Sequence, residues 1–440
     1  MDKQSKMNMK VKIVVIALII WSTQLINAQG FWVNRDTIYV PGITTVAFYP
    51  SHDQLGYPMM RIGGGEILVL EFDDLRGGFT DLLFTIVHCD ANWWPSQLEK
   101  LEYIDGFEEE RFRSGAVGGD AFNSFAYSIA TFDDYTHYKM VFPNQNMNVR
   151  VSGNYLLHVY QDDDDKTPVL TRRFTVSENI FTIIPRLMQA ADVGKLRTHQ
   201  EINFTVNIKD IRMVNPMNEV RAVILQNGRW DNAIYEIAPQ SVRGEDLVFD
   251  YFDKITFPAG KEFRNFDTRS ILYRSERIRK IETFSDGVDV TLHTDKSRAN
   301  VRFITYPDAN GRFVTDNRDR FQEPETMSEY PLVHFTLDYH EIFGKDVYVM
   351  GGLTDWRVDP RFKMTYNPAT RKYEGAAMLK QGFYDYIYVT SEDGYTFDHE
   401  ELEGNWSETE NNYTILVYWR PFGERFDRLG AMARISTVRQ

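Results

Sequence analysis

The stretches "GEILVLEFDDL" (65–75) and "DLLFTIVHCD" (81–90) decide the fold. In both, apolar side chains recur at every second position over a length suited to a strand. "RGGFT" between them is a turn signal, so the pair predicts a β-hairpin. Working outward, "THYKMVFP" (136–143), "GNYLLHVYQD" (153–162) and "LTRRFTVSE" (170–178) repeat the alternation. The polar "DDDDKTP" supplies the tip between the last two. "PSQLEKLEYI" is the one short helical candidate in this region. Residues 29–178 therefore predict an N-terminal β-sandwich domain.

The rhythm restarts with "EINFTVNIKD" (201–210) and "EVRAVILQNGRWDNA" (219–233), and strands at this spacing predict a middle β-sandwich over 179–305. Residues 306–331 are polar, contain Pro and Gly and lack periodicity, so they read as a linker or long loop. From 332 to 440 short strands and turns alternate again as a third sandwich. The expected class is all-β: a multidomain chain of three tandem β-sandwich modules with little helix. Phe and Tyr number 30 and 24, an aromatic bias that suits strands.

Residues 1–28 have the layout of a secretory signal peptide. A lysine-bearing start, the apolar "IVVIALIIW" and the small-residue finish "STQLINA" place cleavage after Ala28. The apolar run falls short of the ~20 residues that span a bilayer. Removing this leader takes four lysines and one aspartate with it and moves the formal charge from −14 to −17. Such a chain repels nucleic acid and anionic membrane surfaces, so neither nucleic acid nor direct membrane insertion is expected. A single cysteine forms no internal disulfide, and stability must come from buried apolar area.

No chemistry-bearing motif emerges. His88 and Cys89 are adjacent in a strand, so they point to opposite faces and form no dyad. Leu83, Thr85, Val87 and Cys89 share one face, and Phe84, Ile86, His88 and Asp90 the other. The nine histidines and one cysteine show no zinc spacing. "RIGGGEI" (61–67) lacks the helix that phosphate binding needs. The acidic turn Asp162–Asp165 reads as solvated rather than ion-binding. No catalytic, cofactor or metal residue is assigned, and no enzyme is expected.

Two sets of motifs carry a resemblance. "VHCDANWWPSQLEKLEYIDGF" and "YTHYKMVFPNQNMNVRVSGNYLLHVYQDDDDKTPVLTRRFTV", with the tail "LEGNWSETENNYTILVYWRPFGERFDRLGA", resemble the type IX secretion system plug protein family of Bacteroidota. The resemblance implies a non-enzymatic periplasmic protein, held at the outer membrane through a protein partner. That partner would be the outer-membrane translocon β-barrel, whose periplasmic opening the protein plugs. The candidate partner-binding residues are His88, Asp90, Trp93 and Trp94 in the signature turn, with Tyr135, His137 and Tyr138.

The second resemblance is local. "VYVMGGLTDWRVDPRFKMTYNPATRKYEGAAMLKQGFYDYIYV" is similar to early-set immunoglobulin-like (Ig-like, E-set-like) modules that bind glycogen. Trp356 falls on that family's tryptophan, and Gly382, Tyr384 and Tyr386 on its last strand. Ile387 stands where such modules often place a sugar-holding lysine, which weighs against a glycan ligand. The alternative function is thus a glycan-binding periplasmic protein using Trp356 and Tyr384 as stacking residues.

Overall fold

The computed structural model describes residues 34–115, 123–209, 211–320 and 323–437. The expected signal peptide, residues 1–28, lies outside them. Strands dominate throughout, and the few α-helices among the described residues are single turns. The all-β expectation holds.

The first sandwich follows from the alternation. One sheet runs in the order Thr37–Ile38, Pro168–Ser177, Gly153–Gln161, Leu82–Cys89, Glu110–Arg111. The other runs Ile43–Pro50, Leu68–Asp74, Thr136–Phe142, Asn123–Tyr127, Arg113–Ser114. Leu68–Asp74 and Leu82–Cys89, expected as a hairpin pair, lie in different sheets and face each other across the core. Leu70 and Phe72 meet Phe84, Ile86, Tyr138 and Tyr155 there. The helical candidate shrinks to Lys100–Tyr103, opened by a reciprocal cap between Glu99 and Glu102.

Strand Leu68–Asp74 is buried along its whole length. Leu68, Leu70 and Phe72 enter the sandwich core, while on the other face Glu71 pairs with Tyr49 and Lys139 of the same module and Asp73 is covered by Tyr330 and Lys380. Polar residues on a strand's outer face thus mark an internal interface, not solvent.

The module boundaries need correction. Strands Asn412–Trp419 and Arg428–Ser436, placed by sequence in the C-terminal module, extend the sheet of Ile234–Ile237 and Val220–Gln226. This sheet packs on Thr182–Gln189, His199–Asn207, Asp246–Phe249 and Ser241–Arg243, with Phe204, Ile224, Phe249, Tyr413 and Ile415 between them. Conversely Arg264–Asp267, Ile278–Thr283 and Val288–Leu292, placed in the middle module, join Gly382–Ser391 and Leu332–Asp338 in a ten-stranded sheet. That sheet curls on itself, bringing the rings of Phe266 and Phe335 within 5.8 Å. The modules are therefore interleaved rather than tandem. Periodicity reveals that a segment is a strand; its partner depends on which open edge it meets in space.

Residues 306–331 are also more than a linker. Phe313–Thr315 pairs with Gly382–Ser391. The amides of Ala309 and Gly311 donate to Oδ2 of Asp385 at 2.5 and 3.0 Å. Tyr330 is buried.

Candidate functional site

The signature turn sits where the first module meets the middle one. Asp90 organises it: its Oδ1 accepts the amides of Asn92 and Trp94, each at 2.9 Å. Its own amide donates to the Trp94 carbonyl at 2.8 Å. The tight tip holds Trp93 at φ 69°, a left-handed conformation that a tryptophan adopts only when its surroundings impose it. Those surroundings are Cys89 and Leu156 beneath it and the Trp230 ring edge-on at 4.8 Å. Trp93 is 2% exposed and Trp94 66%.

His88 lies on the opposite strand face from Cys89, as the alternation requires. Its Nδ1 pairs with Ser96 Oγ at 2.8 Å and its Nε2 with the Ser152 carbonyl at 3.0 Å. Burial pushes its pKa down to about 4, so it is a neutral structural ring at pH 7. Cys89 is buried, and burial with the nearby Asp90 pushes its thiol far above the ordinary range. A thiol so placed is neither nucleophile nor metal ligand.

Tyr135, His137 and Tyr138 occupy a second internal junction. Tyr138 is a core residue stacked on Phe72 at 4.9 Å, its hydroxyl on the Thr80 carbonyl at 3.0 Å. His137 and Tyr135 face the C-terminal module. Asp73, at the centre, receives His137 Nδ1 at 2.7 Å, Tyr330 Oη at 2.5 Å and Lys380 Nζ at 2.6 Å. Tyr135 donates to the carbonyls of Glu325 and Ser328, both at 3.1 Å, and Lys380 lies 4.4 Å from its ring centre. Burial alone would raise the Asp73 carboxyl, but Lys380 and His137 hold it below the usual range.

The sequence-based partner set is thereby corrected. His88, Trp93, Tyr135, His137 and Tyr138 are all buried, Tyr138 within the first sandwich and the other four where it meets the other modules. Asp90 is spent on its turn. Trp94 is the member left exposed. The candidate sugar platform is corrected too. Tyr384 is buried between Phe266 and Phe313, so its ring has no free face for a sugar. Trp356 already carries the Arg229 guanidinium over its ring at 4.0 Å and meets the Phe263 edge at 5.6 Å.

Trp356 instead marks a feature that sequence reasoning missed. It stands in a cleft where all three modules meet, with two lobes of about 560 and 410 Å³. Gly311, at φ +81°, lets the indole approach the backbone; a Cβ there would sit 2.1 Å from Trp356 Cη2. Contributing residues are scattered from 35 to 411, which is why no motif announced them.

The acidic turn Asp162–Asp165 is occupied by protein groups. Asp163 Oδ1 accepts the Thr167 amide at 2.8 Å, and Asp162 contacts Arg111. Among the described residues no group of three His, Cys, Asp or Glu side chains is placed to hold a metal, and no helix is long and apolar enough to cross a membrane.

Comparison with known proteins now bears on this geometry. The crystal structure of a hypothetical protein from Parabacteroides merdae ATCC 43184 matches with a TM-score of 0.83 and 31% identity, covering 91% of this chain and 99% of that one. The chain belongs to the family of that protein. Residues 43–178 match the family model described as the type 9 secretion system plug protein 1st domain. The matched segment is the first sandwich, including the signature turn and the Asp73 strand. No curated protein matches.

Proposed function

We propose that this protein is a non-enzymatic periplasmic component of type IX secretion that binds the outer-membrane translocon barrel and closes its periplasmic opening. The match of residues 43–178 to a plug protein domain carries the reading. Three features support it. The signature residues that suggested chemistry are buried structural groups. The interleaved strands tie the three modules together, which suits a body that must block an opening without deforming. Finally, Trp94 stands exposed on the turn that the middle module supports, as an aromatic contact residue for a partner.

The test is to tag the C-terminus in the native host, extract the outer membrane gently and identify what co-purifies. The reading expects a very large β-barrel subunit in stoichiometric yield, reduced by Trp94→Ala. Recovery of the protein alone from the soluble periplasm would refute it.

A further inference from the structure

The central cleft carries a charge that runs against the rest of the molecule. Around its second lobe stand Arg35, Arg172, Arg173, Arg229, Arg312 and Arg357, against Asp36, Asp231 and Asp355. Six guanidinium groups face three carboxylates in a chain whose formal net charge is −14.

The three carboxylates are each committed. Asp36 pairs with Arg173 at 2.8 Å, Asp355 with Arg172 at 3.1 Å and Asp231 with Arg229 at 2.6 Å. Arg35, Arg312 and Arg357 remain, and among the described residues no carboxylate lies within 4.0 Å of any of them. Among the described residues the Arg312 guanidinium hydrogen-bonds only to the carbonyls of Leu55 and Asn227. Burial, with Arg434 adding repulsion and Asp53 opposing, pushes its pKa down to about 10. Burial also lowers Arg357, with Asp355 opposing and Arg172 adding to the effect. Among the described residues its guanidinium has no hydrogen-bond partner.

Uncompensated guanidinium groups inside a cleft, as Arg312 and Arg357 are, are costly to keep in a protein that has so many acids to spare. The paired guanidinium groups beside them are preorganised. Arg229 is fixed by its carboxylate and by Trp356, and Arg173 by Asp36 and the Trp230 ring at 5.1 Å. Arg35 and Arg357 line both lobes, so a ligand in either lobe reaches them. The planar fork of arginine suits two-oxygen acceptors, and low-dielectric walls strengthen the attraction.

We infer that the three-module cleft is a binding site for an oxyanion-bearing ligand, with Arg35, Arg312 and Arg357 receiving a carboxylate or phosphate group. The lobes have the size of a small molecule or a few peptide residues. The site does not depend on the secretion reading.

Titration calorimetry of the full mature chain tests it, with inorganic phosphate and with the tricarboxylate tricarballylate as probes, at ionic strength held constant with chloride. Saturable heats with at least one probe are expected, and the tighter probe assigns the oxyanion. Arg357→Gln and Arg35→Gln should each weaken that binding about tenfold or more, while Arg243→Gln, on an exposed edge elsewhere, should leave it unchanged. If Arg357→Gln fails to fold, Arg35→Gln at the exposed rim carries the test. Flat heats for both probes to about 10 mM, or affinities equal in all variants, would overturn the assignment.

Discussion

Lys380 Nζ lies 2.6 Å from Oδ2 of Asp73, a buried ion pair that joins residues 307 positions apart. The lysine belongs to the C-terminal module and the aspartate to the first. Both side chains are nearly inaccessible, so neither charge has water as a substitute partner. The pair, with Tyr330 and His137, makes the relative placement of two modules depend on a few polar groups.

Removing one member should be costly. Lys380→Met leaves the Asp73 carboxylate short of its main counter-charge, and a loss of about 3–5 kcal/mol is expected. Urea unfolding followed by fluorescence would measure it. Asp73→Asn should cost a similar amount. The double variant should lose less than the sum of the two single losses, because no unpaired charge is left behind.

Acid should destabilise the protein through Glu403. Burial acts to raise this carboxyl, yet the guanidinium groups of Arg264 and Arg298 hold it at about 2, against an ordinary 4.5. Its folded pKa lies below the unfolded one. The stability it contributes is therefore complete above about pH 4.5 and is lost as pH falls towards 2, about 3 kcal/mol in all. Melting temperature against pH should decline through that window. Glu403→Gln should melt lower at pH 7 and decline less steeply.

The adjacent tryptophans should behave oppositely. Trp93→Ala empties a buried site between Cys89, Leu156 and Trp230, at an expected cost of about 3–5 kcal/mol. Trp94→Ala removes an exposed ring and should change stability by no more than about 0.5 kcal/mol. Denaturant titration of the two variants separates them. Comparable losses would mean that Trp94 also packs.

Cys89 should resist alkylation. Its thiol is buried, with a pKa raised by burial and by Asp90, so almost no thiolate is present at pH 8. Iodoacetamide should leave the native protein unlabelled over hours and label it fully in about 6 M guanidinium. Intact-mass spectrometry reads the result, and rapid native labelling would reopen the case for a reactive cysteine.

The sequence by itself determined that the chain is β-rich and where most strands lie, because alternation is a local property set by neighbouring side chains. It also determined that His88 and Cys89 point apart, since successive residues of any strand do so. Only the tertiary structure decided that Asn412–Trp419 pairs with Val220–Gln226, or that Val288–Leu292 joins Leu332–Asp338. A strand edge offers the same amides and carbonyls to every candidate partner, so pairing is settled by which apolar faces close a common core. The fate of the polar positions was decided the same way. Asp73 and His137 lie off the apolar face of their strands, and become an interface because Lys380 and Tyr330 are brought onto them. The arginines of the cleft, spread from 35 to 357, acquire a common field only when three modules converge. Electrostatic neighbourhood depends on distance through space, and separation along the chain says little about it.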